Sequence, residues 1–386
     1  MPYCHSPWTN LDIDPQGYMS PCCKFDYSKY DDSPLNIKDN SINDYLNSNV
    51  VLQAKEDFEN NRWPAGCIRC KIEEESNVQS KRQLDYERWQ DQYNNYAKEQ
   101  KLITASIAFG NTCNLKCITC GPGSSSKWYN ESQAINKKTP EVKHFYANNK
   151  ANHFYKQNFV ENFLAQTPNL SHLDIPGGEP FLSGVKQQKD LLGWYIKNNQ
   201  AKDISIHYTT NAQLYPDDEW WNLWQHFKEI DIQLSIDGID ARYEYIRFPG
   251  NWNKFIENCK QFQTAEKSNK NIRLSLSHTL SAYNIYYLDE FFTWCESMHL
   301  PRPWVGRVQN PPHMRVSVFP TDIKNQIVSH LSTSQFDDVK TWAKHLNETD
   351  DSTYYKDFLT RLEAHDEYRS ISFQNTFPEL AKILAN

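Results

Sequence analysis

The chain has 386 residues, with 41 Lys plus Arg against 48 Asp plus Glu and a net charge of −7 at pH 7. That acidic balance disfavours non-specific binding to nucleic acid or to an anionic membrane, both of which need a basic face. Aromatic residues make up 14% of the chain, which argues against disorder, and no stretch approaches the ~18 apolar residues of a spanning helix.

The opening MPYCHSPWTNLDIDPQG lacks the basic-then-apolar layout of a signal peptide, so a soluble cytoplasmic protein is expected. Thiols stay reduced in that compartment, and the ten cysteines read as metal ligands before disulfides. Eight of them precede residue 121. Residues 1 to about 100 carry Cys4, the adjacent Cys22 and Cys23, and Cys67-x2-Cys70. The polar run from Lys71 to Lys101 has no Gly or Pro and predicts one long exposed helix, with Glu73–Glu75 on a solvated face.

From residue 102 short strands alternate with helix-sized gaps: Ile103–Phe109, His172–Ile175, Asp203–Thr210, Ile230–Asp237, Asn271–Thr279 and Trp304–Gln309. The gaps include predicted helices at Asp217–Lys228 and Trp252–Glu266, and the repeating order argues a parallel α/β sheet or barrel. Period two puts Ser205, His207, Thr209 and Asn211 on one face of the third strand. It does the same for Asp231, Gln233, Ser235 and Asp237, and for Arg273, Ser275, Ser277 and Thr279. A filled barrel is apolar inside and a doubly wound sheet is apolar on both faces, so strands polar on one side predict an incomplete barrel with a polar lumen. An antiparallel sheet with one wet face is the alternative, and the helical gaps fit it poorly. Residues 311–386 predict a helical C-terminal extension. Cys259, Cys295 and His278 read as core, while His207 faces the polar side.

Two motifs follow strand ends. Cys113-x3-Cys117-x2-Cys120 comes directly after the first strand, at the end where barrel enzymes place their sites. A four-iron cluster normally takes four thiolates, so three leave one iron open to a ligand. A zinc ion with a distant fourth ligand is the alternative. Gly177-Gly178-Glu179-Pro180 follows the second strand, where two glycines allow close backbone approach and Glu179 can accept from an ammonium group.

With CNLKCITC, GGEP, YTTNAQL and LSIDGID in this order, residues 102 to 310 resemble the radical S-adenosylmethionine (SAM) superfamily. The resemblance implies a partial (β/α)6 TIM-like barrel in which Cys113, Cys117 and Cys120 bind a 4Fe-4S cluster and SAM chelates its fourth iron. Reductive cleavage of SAM to methionine and a 5′-deoxyadenosyl radical, which abstracts hydrogen from a substrate, is the activity implied. Gly177, Gly178 and Glu179 would meet the SAM ammonium, and Thr209 and Asn211 its ribose or carboxylate. Ser235 and Asp237 would lie in the same layer, and Arg247 would pair the carboxylate in a fork. Thr119, where the family often has an aromatic residue, is a departure.

Residues 1 to 75 resemble a twitch (shortened SPASM-like) module, which implies a second, auxiliary 4Fe-4S cluster on Cys4, Cys22, Cys67 and Cys70, with Cys23 the alternative to Cys22. Four protein ligands would leave no open iron, so electron transfer is the role expected. The segments implied are 1–100 (auxiliary module and linker helix), 101–310 (partial barrel) and 311–386 (helical extension). The substrate class implied is a ribosomally synthesised peptide, with a flavodoxin or ferredoxin as electron donor. The alternatives are a polyol or amino-sugar dehydrogenase, a partner-protein maturase, and a non-catalytic iron–sulfur or zinc binding module.

Overall fold

Short strands with one apolar face build the frame of the computed structural model, which describes residues 2–75, 79–96, 101–142 and 159–385. Eight strands form one sheet: β1 (Asn10–Ile13), β2 (Met19–Ser20), β3 (Thr104–Ile107), β4 (His172–Ile175), β5 (Ser205–Thr210), β6 (Glu229–Ser235), β7 (Ile272–Leu280) and β8 (Trp304–Arg307). Their order is β2-β1-β3-β4-β5-β6-β7-β8, so β3 to β8 lie side by side in chain order. Pairs β1–β3, β3–β4, β4–β5 and β7–β8 are parallel, and β1–β2 is antiparallel. This is the open, mostly parallel α/β sheet expected from the strand–helix alternation. Not expected was that the N-terminal segment joins it: Asn10 to Ile13 pair with Thr104 to Ile107.

The chain divides into two compact units. The first comprises Met1–Asn111, Asn152–Tyr208 and Pro216–Ile230. Its core takes one face of the strands: Leu11, Ile13, Ala105, Ile107, Leu173, Ile175, Ile206 and Tyr208 are all buried. Alternation then forces their neighbours onto the opposite face. The long helix predicted from Lys71 is interrupted: helices span Ile68–Glu75 and Lys81–Tyr96, and residues 76–78 and 97–100 lie outside the described residues. The second helix starts anew because Ser80 and Gln83 cap one another, Gln83 N–H donating to Ser80 Oγ and Ser80 N–H to Gln83 Oε1. Nor are the glutamates a merely solvated face: Glu73 accepts from Lys24 at 2.6 Å, and Glu74 accepts a fork from Arg82 at 2.9 and 2.5 Å.

The second unit comprises Thr112–Ala151, Thr209–Tyr215 and Asp231–Asn386. The predicted helix at Trp252 runs to Ser268, and Cys259 and Cys295 are buried in helices as expected. The C-terminal segment is helical, with Thr321–Leu331, Asp337–His345, Tyr355–Arg369 and Pro378–Leu384 as its main elements. Among the described residues no helix is long and apolar enough to cross a membrane.

Candidate iron–sulfur sites

In the first unit Cys4, Cys22, Cys67 and Cys70 line one cavity, together with Phe58, Trp63, Lys24, Lys81 and Arg82. Cys23, next to Cys22, is exposed. The cavity forms because Pro64 leads into a tight turn at Ala65–Cys67, and Gly66 lies so close under Phe25 that an added Cβ would come within 2.6 Å of the ring. Burial pushes the Cys4, Cys22 and Cys67 thiols above the ordinary value, so a metal bound here must displace protons. The three cations are held by carboxylates: Lys24 by Glu73, Lys81 by Asp85 at 2.7 Å and Arg82 by Glu74. Lys81 and Arg82 carried no signal in the sequence; they sit in the polar run read as linker.

Four thiols on one pocket suit a thiolate-bound metal centre, and the three cations beside them are neutralised by their carboxylates. Among the described residues no three His, Cys, Asp or Glu side chains converge as a single metal ion requires.

The polar face of the same unit carries a row across four strands. The registers place Asp12 beside Ser106, Ser106 beside Asp174, and Asp174 beside His207. His207 Nδ1 and Asp174 Oδ1 are 2.8 Å apart, and Ser106 Oγ donates to Asp174 Oδ2 at 3.3 Å. Burial works against an ionised Asp174, but the bond from His207 and the charges of His172 and Lys81 outweigh it and lower its pKa. Asp12 is pushed up to about 7, first by burial, with Asp174 adding repulsion and Ser106 and Lys81 opposing.

A raised carboxyl favours the folded state while protonated, and that advantage is lost as pH rises through about 7. Asp12→Asn is therefore expected to come close to the wild type near pH 4 and to exceed it by about 4 kcal/mol at pH 8.5. Urea denaturation at the two pH values measures this, and an equal difference at both would refute it.

The predicted glycine motif follows β4. Gly177 and Gly178 have φ of 84° and 41°, and a Cβ on Gly177 would stand 2.5 Å from the Ala108 Cβ, so this turn requires glycine. Glu179 is fully buried, and its Oε1 accepts from Phe181 N–H at 3.4 Å.

In the second unit the loop with Cys113, Cys117 and Cys120 is pinned through its backbone. Lys116 N–H donates to Phe248 O and Ile118 N–H to Ile246 O, both at 2.7 Å, and Trp128 Nε1 donates to Cys117 O at 2.9 Å. Asn211 Nδ2 reaches Asn114 Oδ1 at 2.8 Å and Cys113 Sγ at 3.8 Å, so this predicted residue faces the cysteine loop. Thr209, two residues earlier on the polar face of β5, is partly exposed, and Ser235 closes β6 in a buried position.

Asp237 and Arg247 are brought together as a buried ion pair of 2.9 Å. Asp237 also accepts from Thr279 N–H at 2.8 Å. Arg247 Nε is a buried donor without a hydrogen-bond partner among the described residues, a position suited to an added acceptor such as a carboxylate. Burial raises the Cys117 and Cys120 thiols, the latter to about 12, with Arg247 opposing in both cases.

No curated protein sequence matches the chain. Among solved structures, anSMEcpe with bound AdoMet is similar at 16% identity over 67% of this chain, with a TM-score of 0.43. SuiB of Streptococcus suis bound to precursor peptide SuiA is similar at 14% identity over 96% of this chain and 73% of its own, with a TM-score of 0.39. The chain spans 61% and 59% of the length of two anSMEcpe structures. A family model described as an iron-sulfur cluster-binding domain, SPASM, matches residues 4–71. The matched segment, residues 4–71, supplies all four cysteines of the pocket described above.

Proposed function

We propose that the chain is a radical SAM enzyme with two clusters, one on Cys113, Cys117 and Cys120 and an auxiliary one on Cys4, Cys22, Cys67 and Cys70. The observation that carries this reading is the convergence of four thiols, far apart in sequence, on one cavity of a SPASM segment in a chain that also has the three-cysteine loop. When bound, the cluster with three protein thiolates and SAM would supply reductive cleavage to a 5′-deoxyadenosyl radical.

The protein's own residues would orient and shield that chemistry. Arg247, through its unpartnered Nε, and Asp237, which fixes the guanidinium, would hold an anionic group of the cofactor. Gly177 and Gly178, both at positive φ and the first packed against Ala108, fix the turn after β4 that carries Glu179. The Asp174–His207 pair on the polar sheet face is the acid–base couple available to take a proton from an oxidised substrate. A net oxidation, with the auxiliary cluster accepting the electron, makes the enzyme an oxidoreductase. Following the family resemblance, the substrate proposed is a ribosomally made peptide, and the electron donor a flavodoxin or ferredoxin.

Anaerobic reconstitution with iron and sulfide, then dithionite and SAM, is expected to yield 5′-deoxyadenosine. A protein that holds only zinc and forms none would overturn the reading. In the same preparation Cys67→Ala/Cys70→Ala is expected to lose about four of about eight irons per chain. Unchanged iron would remove the auxiliary site. Deuterium transferred to 5′-deoxyadenosine from a labelled peptide, and not from labelled polyols, would support the peptide substrate.

A further inference from the structure

Glu131 lies in the first turn of the helix Trp128–Lys138, just beyond the cysteine loop, and has no exposed surface. Three side chains converge on it. Lys116, from inside the loop, stands 2.6 Å from Oε2; Arg369 Nε donates to Oε1 at 2.7 Å; and His365 Nδ1 is 3.0 Å from the same oxygen. His365 and Arg369 come from the helix Tyr355–Arg369 of the C-terminal segment.

Arg369 does more than neutralise Glu131. Its Nη2 donates at 2.7 Å to the carbonyl of Lys116, the residue before Cys117, and its guanidinium lies over Trp128 and Phe248 at 5.2 and 5.1 Å. These are two of the residues that pin the loop's backbone, through Trp128 Nε1 on Cys117 O and Phe248 O on Lys116 N–H. One buried guanidinium thus touches the loop, two of its supports and the carboxylate that holds its lysine. A surface ion pair would be weak and replaceable. This one sits in low dielectric, where position and charge are both fixed.

We propose that the C-terminal helix is a working part of the three-cysteine site, and that Arg369 is a positioning residue which fixes the Lys116–Cys117 turn and presents positive charge beside it. The inference rests on the reading that Cys113, Cys117 and Cys120 hold a SAM-binding cluster. Lys116 and Arg369 together exceed the single charge of Glu131, so the network is net positive next to the thiolates. A fixed positive charge favours the reduced, more negative cluster, and removing it should make reduction harder.

The test is a redox titration of the anaerobic holoenzyme, following the EPR signal that changes on adding SAM, with iron content and 5′-deoxyadenosine measured on the same samples. Arg369→Met is expected to keep its iron, to shift the potential of the SAM-responsive signal to more negative values, and to slow SAM cleavage at least tenfold. Arg369→Lys, which keeps charge but cannot span both the carbonyl and Glu131, is expected to recover most of the potential and only part of the rate. Should Arg369→Met lose its iron, Arg369→Lys carries the test through the rate. Wild-type potential and rate in Arg369→Met, or a wild-type rate in Arg369→Lys, would overturn the proposal. A wild-type protein with no SAM-responsive signal would refute the functional reading instead.

Discussion

Replacing Cys117 by alanine is expected to abolish 5′-deoxyadenosine formation and to remove about four of the chain's about eight irons. The effect should be near total because the described residues offer this loop no spare ligand. The loop offers three thiols, Asn211 and Asn114 use their amides on each other, and the carboxylate of Asp237 is committed to Arg247 and Thr279. Two thiolates do not hold a four-iron cluster that ordinarily takes four. Nor should the variant unfold: the Cys117 carbonyl, not its thiol, accepts from Trp128, and Lys116 and Ile118 keep their backbone bonds. Iron quantitation, circular dichroism and product assay on one anaerobic preparation separate these effects. A Cys117→Ala protein that retains all its iron and still cleaves SAM would end the assignment of this loop.

The parts of the molecule legible in sequence are those with a local signature. Period two in ISIHYTTN and IDIQLSID is enough to locate β5 and β6 within two residues, because apolar and polar faces are forced by the pleat. β1 went unread although its sequence, NLDI, repeats the L-D-I of β4, HLDI. A four-residue strand between cysteine-bearing segments carries little periodic signal of its own. That omission hid the row Asp12, Ser106, Asp174, His207, which exists only when β1 lies beside β3. The same limit applied to Lys81 and Arg82. Their helix looked like exposed linker because its composition is polar, yet both side chains reach the four-cysteine cavity. The resemblance implies Arg247 as a partner of the SAM carboxylate, and in the structure its guanidinium is paired with the carboxylate of Asp237. Arg369 bonds Glu131 across 238 positions, and no local pattern announces such a pair.

Glu131→Ala is expected to destabilise the second unit by about 3–5 kcal/mol, because it leaves buried Arg369 and half-buried Lys116 as like charges without their counter-ion. Burial alone would raise the Glu131 carboxyl, but the bond from His365 and the charge of Arg369 outweigh it and bring the value down to about 2. Burial lowers His365 to about 4, so at neutral pH the imidazole is uncharged and compensation for Glu131 comes from Lys116 and Arg369. A depressed carboxylate stabilises the fold above its unfolded value of 4.5, and that contribution fades as pH falls towards about 2. Neutral buried His365 adds to the same trend, since it must take up a proton between 6.5 and about 4 when the chain unfolds. The wild type should therefore lose stability steadily below pH 6, while Glu131→Ala, already without the carboxylate, should lose less. Glu131→Gln, which keeps the shape and one acceptor, should fall between them at pH 7 and converge with wild type near pH 2.5. Denaturant titrations at pH 7, 5 and 3 measure all three slopes. A loss under about 1 kcal/mol at pH 7 would mean that the pair is as weak as one on the surface, and that the C-terminal helix holds the cysteine loop by packing alone.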